Sequence, residues 1–255
     1  MFIFLFSIVI VLLALSFRKW HFLISNHDLK QLTSTIKAPN SIKFGTFNVN
    51  LMFTNTKNRG YQIACLINNL NLDVIVIQEC WNCFGFRELA KKLNYKFSLS
   101  ALNEKELVGS GMCCFSKYKI NFQNHRTFLY QKFPESLVNK GILSFTIGSF
   151  QIMIVHFPDS RSNLHSIDML FSEAQSKTNV PLIVAGDFNI CARDDAKFYV
   201  KLAKIGNNCF PLSEPTWRAH TYDYIFHQNT QVTNQKVIDM QNLSDHHGLV
   251  STFSF

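Results

Sequence analysis

The chain has 255 residues and a mass of 29.4 kDa, with 47% hydrophobic and 16% charged residues, enough apolar material for a full core in one large domain or two small ones. Only 10 glycines and 6 prolines, and no self-similar period, exclude collagen-like, low-complexity and repeat-array proteins. Lys+Arg of 25 against Asp+Glu of 17 gives a net +8, which suits an anionic partner such as nucleic acid or an acidic membrane surface, although no run of five basic residues concentrates the charge.

Residues 1–17, MFIFLFSIVIVLLALSF, carry no charged side chain and are followed at once by Arg18 and Lys19. At 1.5 Å per residue such a helix reaches roughly 25 Å, a short membrane anchor. Ala14 and Ser16 also offer the small-x-small pattern of a cleaved signal peptide. An uncleaved anchor with a basic C-terminal flank places the body of the chain in the cytoplasm; signal cleavage would make it secreted. The expected organisation is an anchor or signal segment over 1–21, a polar tether over 22–40 and one folded domain over 41–255.

Short β-branched or aromatic runs predict strands over 42–49, 73–79, 95–100, 111–116, 141–147, 150–156, 181–186, 221–226 and 248–254. Helices fit 58–70, 85–93, 162–177 and 194–205, the third capped by Ser162 or Asn163. The class is α/β or α+β with more sheet than helix. The 7 cysteines include one isolated CxxC, Cys80 and Cys83, without the second pair that a zinc site needs, so reduced structural thiols are expected.

Acidic and amide residues sit where the strands end. DVIVIQE delivers Glu79 and IKFGTFN delivers Asn48, while PLIVAGDFN places Asp187 and Asn189 two apart, on one side of an extended chain. Asp245 and His246 lie in LSDHHG before the last apolar run. Strict alternation would separate Asp245 from His246, so the chain must bend there if both share a site. Hard oxygen donors of this kind select Mg²⁺, Mn²⁺ or Ca²⁺ over zinc. His125, His165, His220 and His227 have no motif around them and read as surface or core residues.

The ordered elements FGTFNVN, DVIVIQE, GSGMCCFSKYKI, KGILSF, IVHFPD, VAGDFN, TYDYIF and LSDHHGLV resemble the endonuclease/exonuclease/phosphatase superfamily of deoxyribonuclease I-like enzymes. The resemblance implies a four-layer αββα sandwich, here preceded by the N-terminal hydrophobic helix, and a Mg²⁺-dependent phosphodiester hydrolase acting as a monomer. It makes Glu79 the principal metal ligand, with Asn48 and Asp245 close to the metal. Asp187 and Asn189 would position the attacking water and a phosphate oxygen. His246, oriented by Asp223, would serve as general base or phosphate-binding histidine. His156 would stabilise the transition state or assist the leaving group, its acid partner left open between Glu104 and Glu106.

The LSDHHGLV ending is most similar to neutral sphingomyelinases and some DNA-repair phosphodiesterases, which sets a phospholipid substrate ahead of nucleic acid. A degenerate, non-catalytic binding member is disfavoured because no expected catalytic position is substituted. Trp81, Phe84 and Phe86 in WNCFGF form either an interfacial wedge or a cluster packing the following helix.

Overall fold

A computed structural model describes residues 39–255 except 52–55, 82, 102–108, 130–134, 160–162 and 178. The anchor or signal segment, most of the tether, Ser162, Glu104 and Glu106 lie outside the described residues, as do the side chains of Cys83, Phe84 and Asn163. Among the described residues no helix is long and apolar enough to cross a membrane.

Strands β1 (Ser41–Leu51), β2 (Val74–Cys80), β3 (Phe97–Ser100) and β4 (Cys113–Ser116) join β11 (Gln231–Ile238) and β12 (Gly248–Ser254) in a sheet ordered β11-β12-β1-β2-β4-β3. The second sheet, ordered β5-β6-β7-β8-β10-β9, contains β5 (Asn121–Thr127), β6 (Gly141–Ile147), β7 (Phe150–His156), β8 (Leu182–Asp187), β9 (Asn207–Asn208) and β10 (Asp223–Gln228). Parallel pairing occurs at β1 with β2 and at β7 with β8, while the other pairs are antiparallel. Parallel neighbours require a crossover, and the helices α1 (Thr56–Asn69) and α3 (Asn163–Gln175) supply it. Two more helices, α2 (Cys83–Lys92) and α4 (Ala196–Leu202), complete the outer layers.

Alternation along the strands makes the four layers. Ile42 and Phe44 of β1, Val74 and Val76 of β2, Ile152 and Ile154 of β7, Ile183 and Ala185 of β8 and Ile225 of β10 meet between the sheets. Their neighbours face the other way. Phe47, Val49, Ile75 and Ile77 pack with Ile63, Ala64 and Ile67 of α1 and Leu89 of α2. Met153, Val155, Leu182, Val184, Tyr224 and Phe226 pack with Ile167 and Leu170 of α3 and Phe198 and Leu202 of α4.

The strands and helices read from the sequence between residues 42 and 254 are present, and β6, β7 and β12 have the predicted bounds. Missed were β5, β9 and β11. NFQNHRT and QVTNQKVI form outer edges, exposed or half-buried along their length, so neither carries an alternating apolar stripe. Polar edge strands of this kind resist pairing with another chain. Among the cysteines, Cys65, Cys80, Cys113, Cys114, Cys191 and Cys209 are free, as expected.

Candidate active site

The inter-sheet core ends in polar residues. Continuing the inward alternation beyond Phe44 reaches Asn48; beyond Ile154 it reaches His156, beyond Ala185 Asp187, and before Ile225 Asp223. His156 is in register with Asp187, and Asp187 with Asp223, so three polar side chains form one row across the second sheet. All four are buried. They stand at one end of the two parallel strand pairs, the place where α/β sheets present ligand sites.

Glu79 breaks the alternation that leads to it. Its φ is +61°, in the left-handed region unfavourable for a residue with a Cβ, and the local reversal carries its carboxylate to Asn48 and His156. Asn48 Nδ2 donates to Glu79 Oε1 at 3.0 Å and to Asp187 Oδ2 at 2.9 Å, which ties one residue from each sheet to a common amide. Its Oδ1 accepts the Asn50 N–H at 3.1 Å, so Asn48 presents its amide nitrogen and not its oxygen to the carboxylates. His156 Nε2 lies 3.7 Å from Glu79 Oε1 and 3.8 Å from Asp187 Oδ2. Beside it, the indole of Trp81 packs on the imidazole at 5.4 Å between ring centres.

His246 Nδ1 is 2.8 Å from Asp223 Oδ2, and its Nε2 is 3.9 Å from Asp187 Oδ2. Burial opposes protonation of His246, but the carboxylates of Asp223, Asp187 and Asp245 outweigh it and raise the pKa to about 10. Asp187 is pushed up to about 7 by burial and then by the charge of Asp223. His156 is driven well below its ordinary value by burial and by the positive charges of Lys140 and His246, so its ring is neutral at pH 7.

Asp245 is exposed to one side of this row. Asn50 Nδ2 donates to its Oδ1 at 2.9 Å and Trp217 Nε1 to its Oδ2 at 3.0 Å, and these bonds overcome burial to hold its pKa below the ordinary range. The expected bend is present: Asp245 precedes β12, and the backbone N–H of His246 turns back onto Ser244 Oγ at 3.2 Å. Ser244 Oγ in turn donates to the Asn48 carbonyl at 2.7 Å. Asn189 stands at the opposite side with φ +47°, its N–H on Asp187 Oδ1 and its Nδ2 on the Phe157 carbonyl.

Two residues beside the site were missed in the sequence. Asn50 repeats Asn48 two positions on and could have been found by that spacing; Trp217 follows no motif. Trp81 corrects the reading of an interfacial wedge: only 6% exposed, it is packed over His156. Phe86 likewise stacks on Phe115 at 5.5 Å, while Phe84 lies outside the described side chains. A second cluster, Cys191, Asp194 and His220, occupies the rim, where His220 Nδ1 is 2.9 Å from Asp194 and 3.0 Å from Arg193.

The donor set fits a divalent cation. Carboxylate and imidazole atoms of Glu79, His156 and Asp187 lie within 4.8 Å of one another, as do those of Asp187, Asp223 and His246. Neither ring nitrogen of the buried His156 has a hydrogen-bond partner, and anionic neighbours destabilise the Asp187 carboxylate, which a cation would reverse.

A model of the endonuclease/exonuclease/phosphatase family matches residues 45–246, a span that starts within β1 and ends on His246. The chain belongs to this family. No curated protein matches the sequence significantly. Solved structures share this fold at low identity. Sphingomyelinase C from Streptomyces griseocarneus is 15% identical, with a TM-score of 0.66 over 83% of this chain and 99% of that one. A magnesium-bound mutant of beta toxin from Staphylococcus aureus is also 15% identical, with a TM-score of 0.65 over 83% and 99%. A humanized TDP2 from D. rerio is 18% identical, with a TM-score of 0.60 over 85% and 100%.

Proposed function

We propose that this endonuclease/exonuclease/phosphatase protein is a Mg²⁺-dependent phosphoric diester hydrolase of sphingomyelinase-like specificity, held at a membrane by residues 1–17 with its folded domain on the cytoplasmic side. The observation that carries the reading is the convergence of Asn48, Glu79, His156, Asp187, Asp223 and His246 from both sheets on one small volume. A phosphodiester is anionic and repels hydroxide, so hydrolysis needs positive charge, an oriented water and help for the departing oxygen.

Glu79 would hold the cation, Mg²⁺ or Mn²⁺, with Asn48 and Asp245 close to it. The ion would supply Lewis-acid stabilisation of charge on the phosphoryl oxygens. Asp187, fixed by Asn48 and Asn189, orients the attacking water. With its Nδ1–H given to Asp223, His246 turns Nε2 toward Asp187, where it takes the water's proton or, already protonated, holds a phosphate oxygen. Neutral His156 donates an N–H to a phosphoryl or leaving oxygen from the opposite side, which suits a group that burial keeps uncharged.

The lipid assignment draws on the LSDHHGLV ending, on the hydrophobic N-terminal segment and on the fold shared with sphingomyelinase C. A nucleic-acid substrate is the second reading, favoured by the net +8 and by a basic, aromatic rim in which the Arg218 guanidinium stacks 4.4 Å from the Trp217 ring. A panel with the full chain and Mg²⁺ decides between them: sphingomyelin vesicles, supercoiled plasmid, RNA and inositol phosphates, with Asp187→Ala as control. Release of phosphocholine supports the lipid reading. Plasmid nicking that weakens steeply with salt replaces it with a nuclease, and turnover undiminished by EDTA removes the metal-dependent reading altogether.

A further inference from the structure

Lys140, the residue before β6, is only 6% exposed, and an ammonium taken that far from water must be paired. Its Nζ donates to Glu135 Oε1 at 2.6 Å and to the Phe157 carbonyl at 3.3 Å. Both acceptors serve a second donor. Glu135 Oε1 also receives the backbone N–H of Asp159 at 2.8 Å, and the Phe157 carbonyl also receives Asn189 Nδ2 at 2.8 Å. The N–H of Phe157 itself donates to the Asp187 carbonyl at 2.9 Å, and the N–H of Asn189 to Asp187 Oδ1 at 2.9 Å. A short chain of bonds therefore runs from the buried ion pair to the carboxylate at the centre of the site.

The geometry points to Lys140 as a positioning residue for hydrolysis: paired with Glu135, it fixes the Phe157 carbonyl and, through that carbonyl, the Asn189 amide against Asp187. The inference rests on the hydrolase reading above. Phe157 is the first residue after β7, where ladder bonds no longer hold the chain. Asn189, in the left-handed region at φ +47°, needs its surroundings to keep it there. The Phe157 carbonyl does so from one side, and Lys140 supplies the cation that holds that carbonyl still. Lys140 does not reach the reacting atoms in this arrangement. Beside the charge that His156 and Asp187 feel, it acts on Asn189 through a shared acceptor, and a displacement of an ångström at Asn189 is enough to slow a reaction that depends on water placement.

A buried ion pair can also serve stability alone, and the test separates the two roles. Lys140→Met leaves the Glu135 carboxylate without its cation and lowers Tm in either case. Combining Lys140→Met with Glu135→Gln removes both charges while keeping an oxygen for the Asp159 N–H, so most of the lost Tm returns. The positioning role predicts that the double variant of the full chain still shows kcat reduced roughly tenfold with KM within about twofold of the parent. It also predicts faster amide exchange confined to residues 157–159 and 187–190. Recovery of kcat together with Tm, or unchanged exchange in those segments, overturns the inference. A parent chain inactive on every substrate of the panel, with local exchange still raised in the double variant, would instead overturn the hydrolase reading and leave the positioning contact standing.

Discussion

His246 and Asp223 form a buried pair, Nδ1 to Oδ2 at 2.8 Å, that joins the loop before β12 to the first residue of β10. The bond leaves a single orientation in which Nε2 faces Asp187. Asp223→Asn should therefore lower kcat by roughly 10²-fold or more while KM changes little, because the amide no longer selects the Nδ1–H tautomer or balances an imidazolium. Steady-state kinetics on whichever substrate the panel identifies will check it; an Asp223→Asn enzyme with parental kcat would remove the orienting role.

The same cluster makes stability depend on pH when the cation is withheld. Asp187, raised from 3.8 to about 7, keeps in the folded chain a proton that the unfolded chain has lost, so its contribution is full below about pH 4 and disappears as pH rises through 7. His246, raised from 6.5 to about 10, acts with the same sign, its contribution full below about pH 6.5 and lost as pH rises through 10. In EDTA, Tm should fall between pH 5 and pH 9, and Asp187→Asn should flatten the part below pH 7. Mg²⁺ should restore Tm at pH 8 for the parent and much less for Asp187→Asn, as calorimetry would register. A Tm independent of both pH and Mg²⁺ would contradict the electrostatic account.

Glu79 sits at φ +61° by virtue of its surroundings, and the cost of that conformation is on the order of 1 kcal/mol for a residue with a Cβ. Glu79→Gly removes the strain and Glu79→Ala does not. Both should weaken metal binding and abolish most hydrolysis, yet the glycine variant should be about 1 kcal/mol more stable than the alanine variant in urea denaturation. Equal stabilities would mean that the backbone is relaxed at this position.

Trp81 is packed over His156, and a Cβ on Gly111 would come within 2.8 Å of its indole. Trp81→Ala opens a cavity behind the imidazole, with a cost of about 3–5 kcal/mol. Activity should drop by the same factor on vesicles and on a soluble phosphodiester. A loss confined to vesicles would return Trp81 to the membrane interface.

How far the sequence could be read follows from where each residue's partners lie. DVIVIQE and PLIVAGDFN announce buried strands with carboxylates at their ends because the apolar run and the polar terminus are both local. Asn48 and His156 are legible for the same reason. The edges β5 and β11 were not, since a strand that neighbours solvent needs no apolar pattern. Trp217 and the Lys140–Glu135–Phe157 contacts join residues far apart in the chain or in loops without periodicity, and only the folded backbone brings them together. WNCFGF shows the limit from the other side: an aromatic run reads alike whether it faces a bilayer or, as for Trp81, a histidine.

The bridge from Asn48 to Glu79 and Asp187 spans two sheets that could each close their own hydrogen-bond ladders before meeting. Turnover is thus a gauge of how the sheets dock and not of whether they exist. Under mild denaturant a slippage of one sheet on the other would extinguish hydrolysis while far-ultraviolet circular dichroism still recorded native strand content, so the inactivation midpoint would precede the spectroscopic one.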